Sequence, residues 1–148
     1  MTRAATVPLA VLTAAWLAVT AYVHADLASS YDAVKQGGTL SQGELFRAQA
    51  TVSSIAALVV LIAGVRQPRW SPLAWLFASG SGLASFVAVL LYRYDNVGQV
   101  LFLPDMYEPV WFHEKTVSAV ADAVVLVVGL AGLLAVLIVR RRGRPSGA

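Results

Sequence analysis

Thr116-Val-Ser-Ala-Val-Ala-Asp122-Ala-Val-Val-Leu-Val-Val-Gly-Leu-Ala-Gly-Leu-Leu-Ala-Val-Leu-Ile-Val139 is the stretch that decides the fold. It is a 24-residue run bounded by Lys115 and Arg140, with a single carboxylate inside it. At about 1.5 Å of rise per residue, a helix of that length crosses the roughly 30 Å hydrocarbon layer of a bilayer. Three runs of similar character precede it: Ala4–Val23, Ala48–Val65 and Trp70–Tyr92, each marked off by Arg or His. With 58% hydrophobic and only 13% charged residues, and a mean hydropathy of +0.70, the chain lacks the polar surface that a soluble domain of this size needs. The expectation is an all-α integral membrane four-helix bundle. It forms one domain over residues 1–148, with helices at about 5–25, 45–65, 71–92 and 116–139 and long loops at 26–44 and 93–115.

Lys and Arg in short connections mark the cytoplasmic side. Arg3, Arg66, Arg69, Arg140, Arg141, Arg142 and Arg144 fall before helix 1, between helices 2 and 3, and after helix 4, which puts both termini inside. The two long loops then face outward. They carry Lys35, Arg47, Arg93 and Lys115 against Asp26, Asp32, Glu44, Asp95, Asp105, Glu108 and Glu114. The formal charge of +3 is therefore the sum of a basic inner face and an acidic outer one, and says nothing of nucleic acid. The arginine tail reads as a topology anchor at the lipid surface of a plasma membrane. Arg3 and the apolar stretch to Val23-His24-Ala25 imitate a secretory signal, but about 20 apolar residues exceed the usual 7–15, which favours a retained helix.

No cysteine is present, so disulfides and thiolate metal sites are excluded, leaving oxygen and imidazole as ligands. No nucleophile elbow, phosphate-binding loop, dinucleotide fingerprint or His-Glu-x-x-His occurs, and nothing specifies a cofactor. Small residues recur at helical spacing in helix 3, where Ala74, Ala78 and Gly82 form a stripe beside Ser81 and Ser85. Gly129 and Gly132 notch helix 4. In lipid such residues let helices approach closely, so Ser79-Gly-Ser-Gly82 reads as a packing surface.

An ionisable group within a span costs roughly 2.5–3.5 kcal/mol on insertion scales, which makes Asp122 a site hypothesis. It lies about 9 Å into a helix beginning at Thr116. Ser118 and Glu114 precede it by four and eight residues on nearly one face, and Gln49 and Ser53 share a face of helix 2. His24 closes helix 1 and Arg93 closes helix 3, so His24, Gln49, Arg93, Glu114, Ser118 and Asp122 form a candidate polar layer and ligand site.

Three readings of that layer are open. Asp122 pairs with Arg47 or Arg93, or is protonated, and glues helices together. His24 and His113 with Asp26, Glu114 or Asp122 bind a divalent metal. Or Asp122 is a proton carrier or ligand anchor below an outward cavity, reached past Glu114 and Ser118. Of the loops, 93–115 mixes Val100 to Leu103, Met106, Tyr107, Val110, Trp111 and Phe112 with acids, which suits either an interfacial segment or a lid. In 26–44, Gly37-Gly38 and Gly43 suggest turns, and Thr39 or Ser41 a cap for helix 2.

His24 closing helix 1, Tyr31 seven residues later and Gly43-Glu-Leu-Phe-Arg-Ala-Gln49 opening helix 2 resemble a group of small four-helix membrane proteins common in actinobacteria. The likeness spans most of the chain, with Ser30 where that group has Gly before the Tyr. It implies the same fold and singles out His24, Gln49 and Asp122, without an assigned activity. The functional expectation is a non-catalytic membrane protein that binds a small ligand or accompanies a membrane-protein partner or a second copy of itself. A proton-linked carrier using Asp122 is the alternative, and metal binding a third.

Overall fold

The computed structural model describes residues 3–35, 37–68 and 71–142, with side chains from residue 5 onward. Four helices account for about three quarters of them: α1 Arg3–Ala28, α2 Gln42–Arg66, α3 Ser71–Tyr94 and α4 His113–Arg142. A single 3-10 turn, Ser29–Tyr31, extends α1. All four are long and apolar enough to cross a membrane, and the chain is an integral membrane four-helix bundle. The helices run a few residues past the apolar segments because polar turns at their ends are satisfied locally. α4 begins at His113, three residues before the apolar run, which puts Asp122 about 13 Å along its axis.

At the start of α2, Ser41 accepts from the Glu44 N–H (3.1 Å) while Glu44 accepts from the Ser41 N–H (2.6 Å), a reciprocal capping box. Of the two caps anticipated from the sequence, Ser41 is the one used. Gly43, expected at a turn, lies instead in the first turn of α2. A Cβ there would meet the Ala28 carbonyl and Asp32, so the residue is small because α1 ends against it. At the other end of α2, Gln67 adopts a left-handed conformation (φ 48°, ψ 49°) and its N–H bonds to the Ala63 carbonyl at 3.0 Å.

In cross-section the helices form a square in chain order. α1 packs on α2 and α4, α3 packs on α4 and more loosely on α2, and α1 scarcely meets α3. The α3–α4 seam is the small-residue contact expected. Ala74, Ala78 and Gly82 are buried, and a Cβ on Gly82 would strike Val125 and the Asp122 carbonyl oxygen at 2.8 and 2.9 Å. Gly132 lies flat against the Trp75 ring, which is completely buried. Ala10, Leu17, Val60, Trp75 and Val125 form the dry centre.

α1 contributes a buried polar file, Thr6, Thr13 and Thr20, at intervals of seven residues. Thr6 donates to the Gly64 carbonyl (3.3 Å) and accepts from Gln67 Nε2 (2.6 Å), tying α1 to α2 near the short connection. At that same end Arg140 donates to the Pro68 carbonyl at 2.8 Å. Thr20, at the other end of the file, reaches Asp122.

Candidate functional site

Asp122 is 1% exposed, and three hydroxyls converge on it. Thr20 of α1 donates to Oδ1 at 2.9 Å, Ser85 of α3 donates to Oδ2 at 2.6 Å, and Ser118, one turn earlier on α4, donates to Oδ2 at 3.3 Å. The carboxyl thus joins three helices. Hydroxyls from neighbouring helices are a common way to satisfy a polar group in lipid, where no water competes. Each of the three has its proton committed to Asp122, so what each presents elsewhere is an oxygen lone pair.

One turn after Thr20, the His24 ring stands beside this cluster. Its Nδ1 lies 2.8 Å from the Thr20 carbonyl oxygen. A carbonyl only accepts, so Nδ1 carries the proton and Nε2 of the neutral ring offers a lone pair. The ring is fixed edge-on to Phe46 (centroids 5.6 Å apart), and Phe46 in turn to Tyr31 at 5.1 Å. This explains why the spacing from His24 through Tyr31 to Phe46 is tight: the three rings interlock where α1 hands over to α2.

Above the cluster opens a cavity of about 580 Å3, within the range of small-molecule sites. His24, Ser85 and Ser118 line its floor, Gln49 its α2 side, and Phe46, Tyr92 and Phe112 its walls. Asp122 lies behind the two serines rather than in the wall. Gln49 donates through Nε2 to Ser53 at 3.3 Å, which leaves its carbonyl oxygen free to accept. Towards the mouth stand Glu108, Glu114 and Lys115. All four helices line the cavity, with α2 and α3 the most loosely packed neighbours among them, and Ala48 and Val52 of its α2 wall are exposed.

The loop between α3 and α4, residues 95–112, covers this space. Leu103, Met106, Tyr107 and Glu108 line the cavity, so the loop is a lid and not merely a segment resting at the membrane surface. It is held to the other long loop by the Thr39 and Leu40 N–H groups on the Phe102 carbonyl (3.2 and 3.4 Å) and by Gln42 Nε2 on the Asp105 carbonyl (2.9 Å). Behind it the Glu108 N–H bonds to the Tyr92 carbonyl at 3.0 Å, and Lys115 Nζ donates to the Glu108 carbonyl.

Of the residues singled out from the sequence, His24, Gln49, Glu114 and Ser118 line the cavity, with Asp122 directly beneath. Arg93 is not among them. Its guanidinium lies over the rings of Tyr94 and Trp111, 5.0 and 5.8 Å from their centroids, because the last turn of α3 points it away from the cavity. The pairing of Asp122 with Arg47 or Arg93 is likewise absent. Arg47 sits on the exposed face of α2 and makes a two-pronged ion pair with Asp32 (2.5 and 2.7 Å), which holds the Asp32 carboxyl below the usual carboxylate range. The metal set also fails to assemble. Among the described residues no three of His, Asp and Glu come together as metal ligands, although His24 and Glu114 line the same cavity.

Thr20 and Ser85 complete the site. Ser85 is visible in the sequence only as part of the α3 packing stripe, and Thr20 only as one step of the seven-residue threonine spacing. No family profile, curated protein or solved structure matches the chain.

Proposed function

We propose that this protein binds a small amphipathic molecule in the cavity between α2 and α3, without catalysing its conversion. The observation that carries the reading is the cavity itself. It combines about 580 Å3 of largely apolar, aromatic-walled space with a compact polar floor whose hydrogen-bonding groups are fixed by Asp122 and the Thr20 carbonyl. Such a floor orients one polar head while the walls take an apolar body. The loosely packed α2–α3 side offers a path from the bilayer, and the basic short connection and C-terminal end support a plasma-membrane topology with both termini cytoplasmic. The resemblance of His24, Tyr31 and the Gly43–Gln49 segment to small actinobacterial four-helix proteins fits the same site, since His24, Tyr31 and Gln49 all line it.

The test is extraction of bound molecules from protein purified in mild detergent, for the wild type and for Ala88→Trp, which fills the wall one turn from Ser85. A molecule at near-stoichiometric amount on the wild type and absent from a folded Ala88→Trp variant is expected. Identical extracts from the two proteins would remove the reading. Asp122→Asn separates the remaining roles: an accessory subunit keeps its membrane-protein partner on that change, whereas a proton-linked carrier loses transport.

A further inference from the structure

The polar atoms at the floor of the cavity are chiefly acceptors, while Tyr31, Tyr92 and Tyr107 of its wall carry hydroxyls that can also donate. Ser85 and Ser118 have given their protons to Asp122, His24 Nδ1 has given its proton to the Thr20 carbonyl, and Gln49 has turned its amide nitrogen to Ser53. What remains at the floor is two hydroxyl lone pairs, an imidazole lone pair and the Gln49 amide, with its oxygen and one N–H. Two carboxylates, Glu108 and Glu114, stand against one cation, Lys115, in the upper wall. Two of its three donors go to backbone oxygens, the Glu108 carbonyl and, at 3.5 Å, the Val110 carbonyl. Neither Arg47 nor Arg93 lines the wall, and among the described residues the bonds to Asp122 come from hydroxyls alone, with the His24 ring as its neighbouring base. The rings of Tyr31, Phe46, Tyr92, Tyr107 and Phe112 complete the surround, and aromatic faces attract cations.

Resting on the cavity reading above, the geometry points to an amphipathic amine as the ligand class: a protonated nitrogen on the Ser85–Ser118–His24 floor and an apolar tail toward the α2–α3 side. An ammonium has three donors and no acceptor, the complement of this floor. Asp122 supplies the counter-charge through the two serines. At the floor, a carboxylate or phosphate head would face oxygen and imidazole lone pairs backed by the Asp122 carboxyl. An uncharged alcohol would satisfy one acceptor and leave Asp122 uncompensated.

The experiment is saturation binding of radiolabelled decylamine, 1-decanol and decanoate, at neutral pH, to the protein in phosphatidylcholine nanodiscs, with empty nanodiscs subtracted. The expected order is amine tightest, alcohol weaker and decanoate at background. Asp122→Asn, which keeps the size of the side chain but removes its charge and turns one accepting oxygen into an amide donor, should weaken the amine by at least about tenfold and the alcohol by much less. Ser85→Ala serves as a second variant should Asp122→Asn fail to fold, and it too should weaken the amine selectively. Equal binding of all three probes, or an amine affinity unchanged in both variants, overturns the head-group assignment while leaving the cavity as a binding site. No saturable binding of any probe overturns both.

Discussion

Asp122→Ala deletes the one acceptor that ties Thr20 of α1 and Ser85 of α3 to α4. An interhelical hydrogen bond in a membrane protein is worth about 0.6 kcal/mol on average, and one to a charged acceptor roughly twice that. Two such bonds give a loss of about 2.4 kcal/mol, a roughly fiftyfold shift in the folding equilibrium. Ser118 adds little, because it lies on the same helix as Asp122 and at the longer distance of 3.3 Å. The lipid-exposed reference state gives the carboxyl no better solvation, so its insertion cost does not offset the loss. Steric trapping in bicelles measures the difference directly. The sharper measurement is the cycle: Thr20→Val and Ser85→Ala should each cost about 1 kcal/mol in the wild type and close to nothing in the Asp122→Ala background. If the hydroxyl substitutions cost the same in both backgrounds, the hydroxyls are not held by Asp122 and the reasoning fails.

Three further outcomes follow from the packing and the caps. Gly132→Val drives side-chain atoms into the Trp75 ring and should destabilise by about 1–3 kcal/mol, whereas Gly80→Ala, with open space around its added Cβ, should be neutral or stabilise by about 0.5–1 kcal/mol; the same trapping assay compares them. Ser41→Ala breaks the capping box and should cost about 1 kcal/mol, seen as faster hydrogen exchange confined to the amides of Gly43 to Leu45. Asp32 has a lowered folded-state pKa, so the Arg47 pair contributes above the ordinary carboxylate range and is lost as pH falls through the folded value. In Arg47→Gln, the carbon-13 titration midpoint of the Asp32 carboxyl should therefore rise; an unchanged midpoint would show that the pair does not hold in solution.

The four spans were readable because in lipid a run of apolar residues between charges has few structural alternatives. The glycine and alanine stripe was readable for the same reason: close helix approach leaves a spacing that composition alone does not produce. The partners of Asp122 were not. A threonine or serine inside an apolar helix carries no mark of whether its hydroxyl bonds its own turn or a neighbour, so Thr20 and Ser85 stayed hidden while the conspicuous charges, Arg47 and Arg93, drew attention. Arg47 lies in the second turn of α2 and Arg93 in the last turn of α3, and a shift of a single position along a helix turns a side chain by about 100°. The lid was half visible: its apolar content was plain, but its attachment runs through the backbone carbonyls of Phe102 and Asp105, which no pattern of side chains records.

The short connection after Gln67 and the loose α2–α3 side together make a pair of tweezers. Two stiff arms are joined at one end, and the cavity lies near their tips. Gln49 is eighteen residues from Gln67, about 27 Å along the arm, so a tilt of only about 5° at the bend shifts the cavity wall by about 2 Å. That is enough to change whether an alkyl chain slips between the arms. The Thr39, Leu40 and Gln42 bonds to the lid cross the tips like a clasp. Releasing three hydrogen bonds at the long-loop end would then set the width of the gap between the arms.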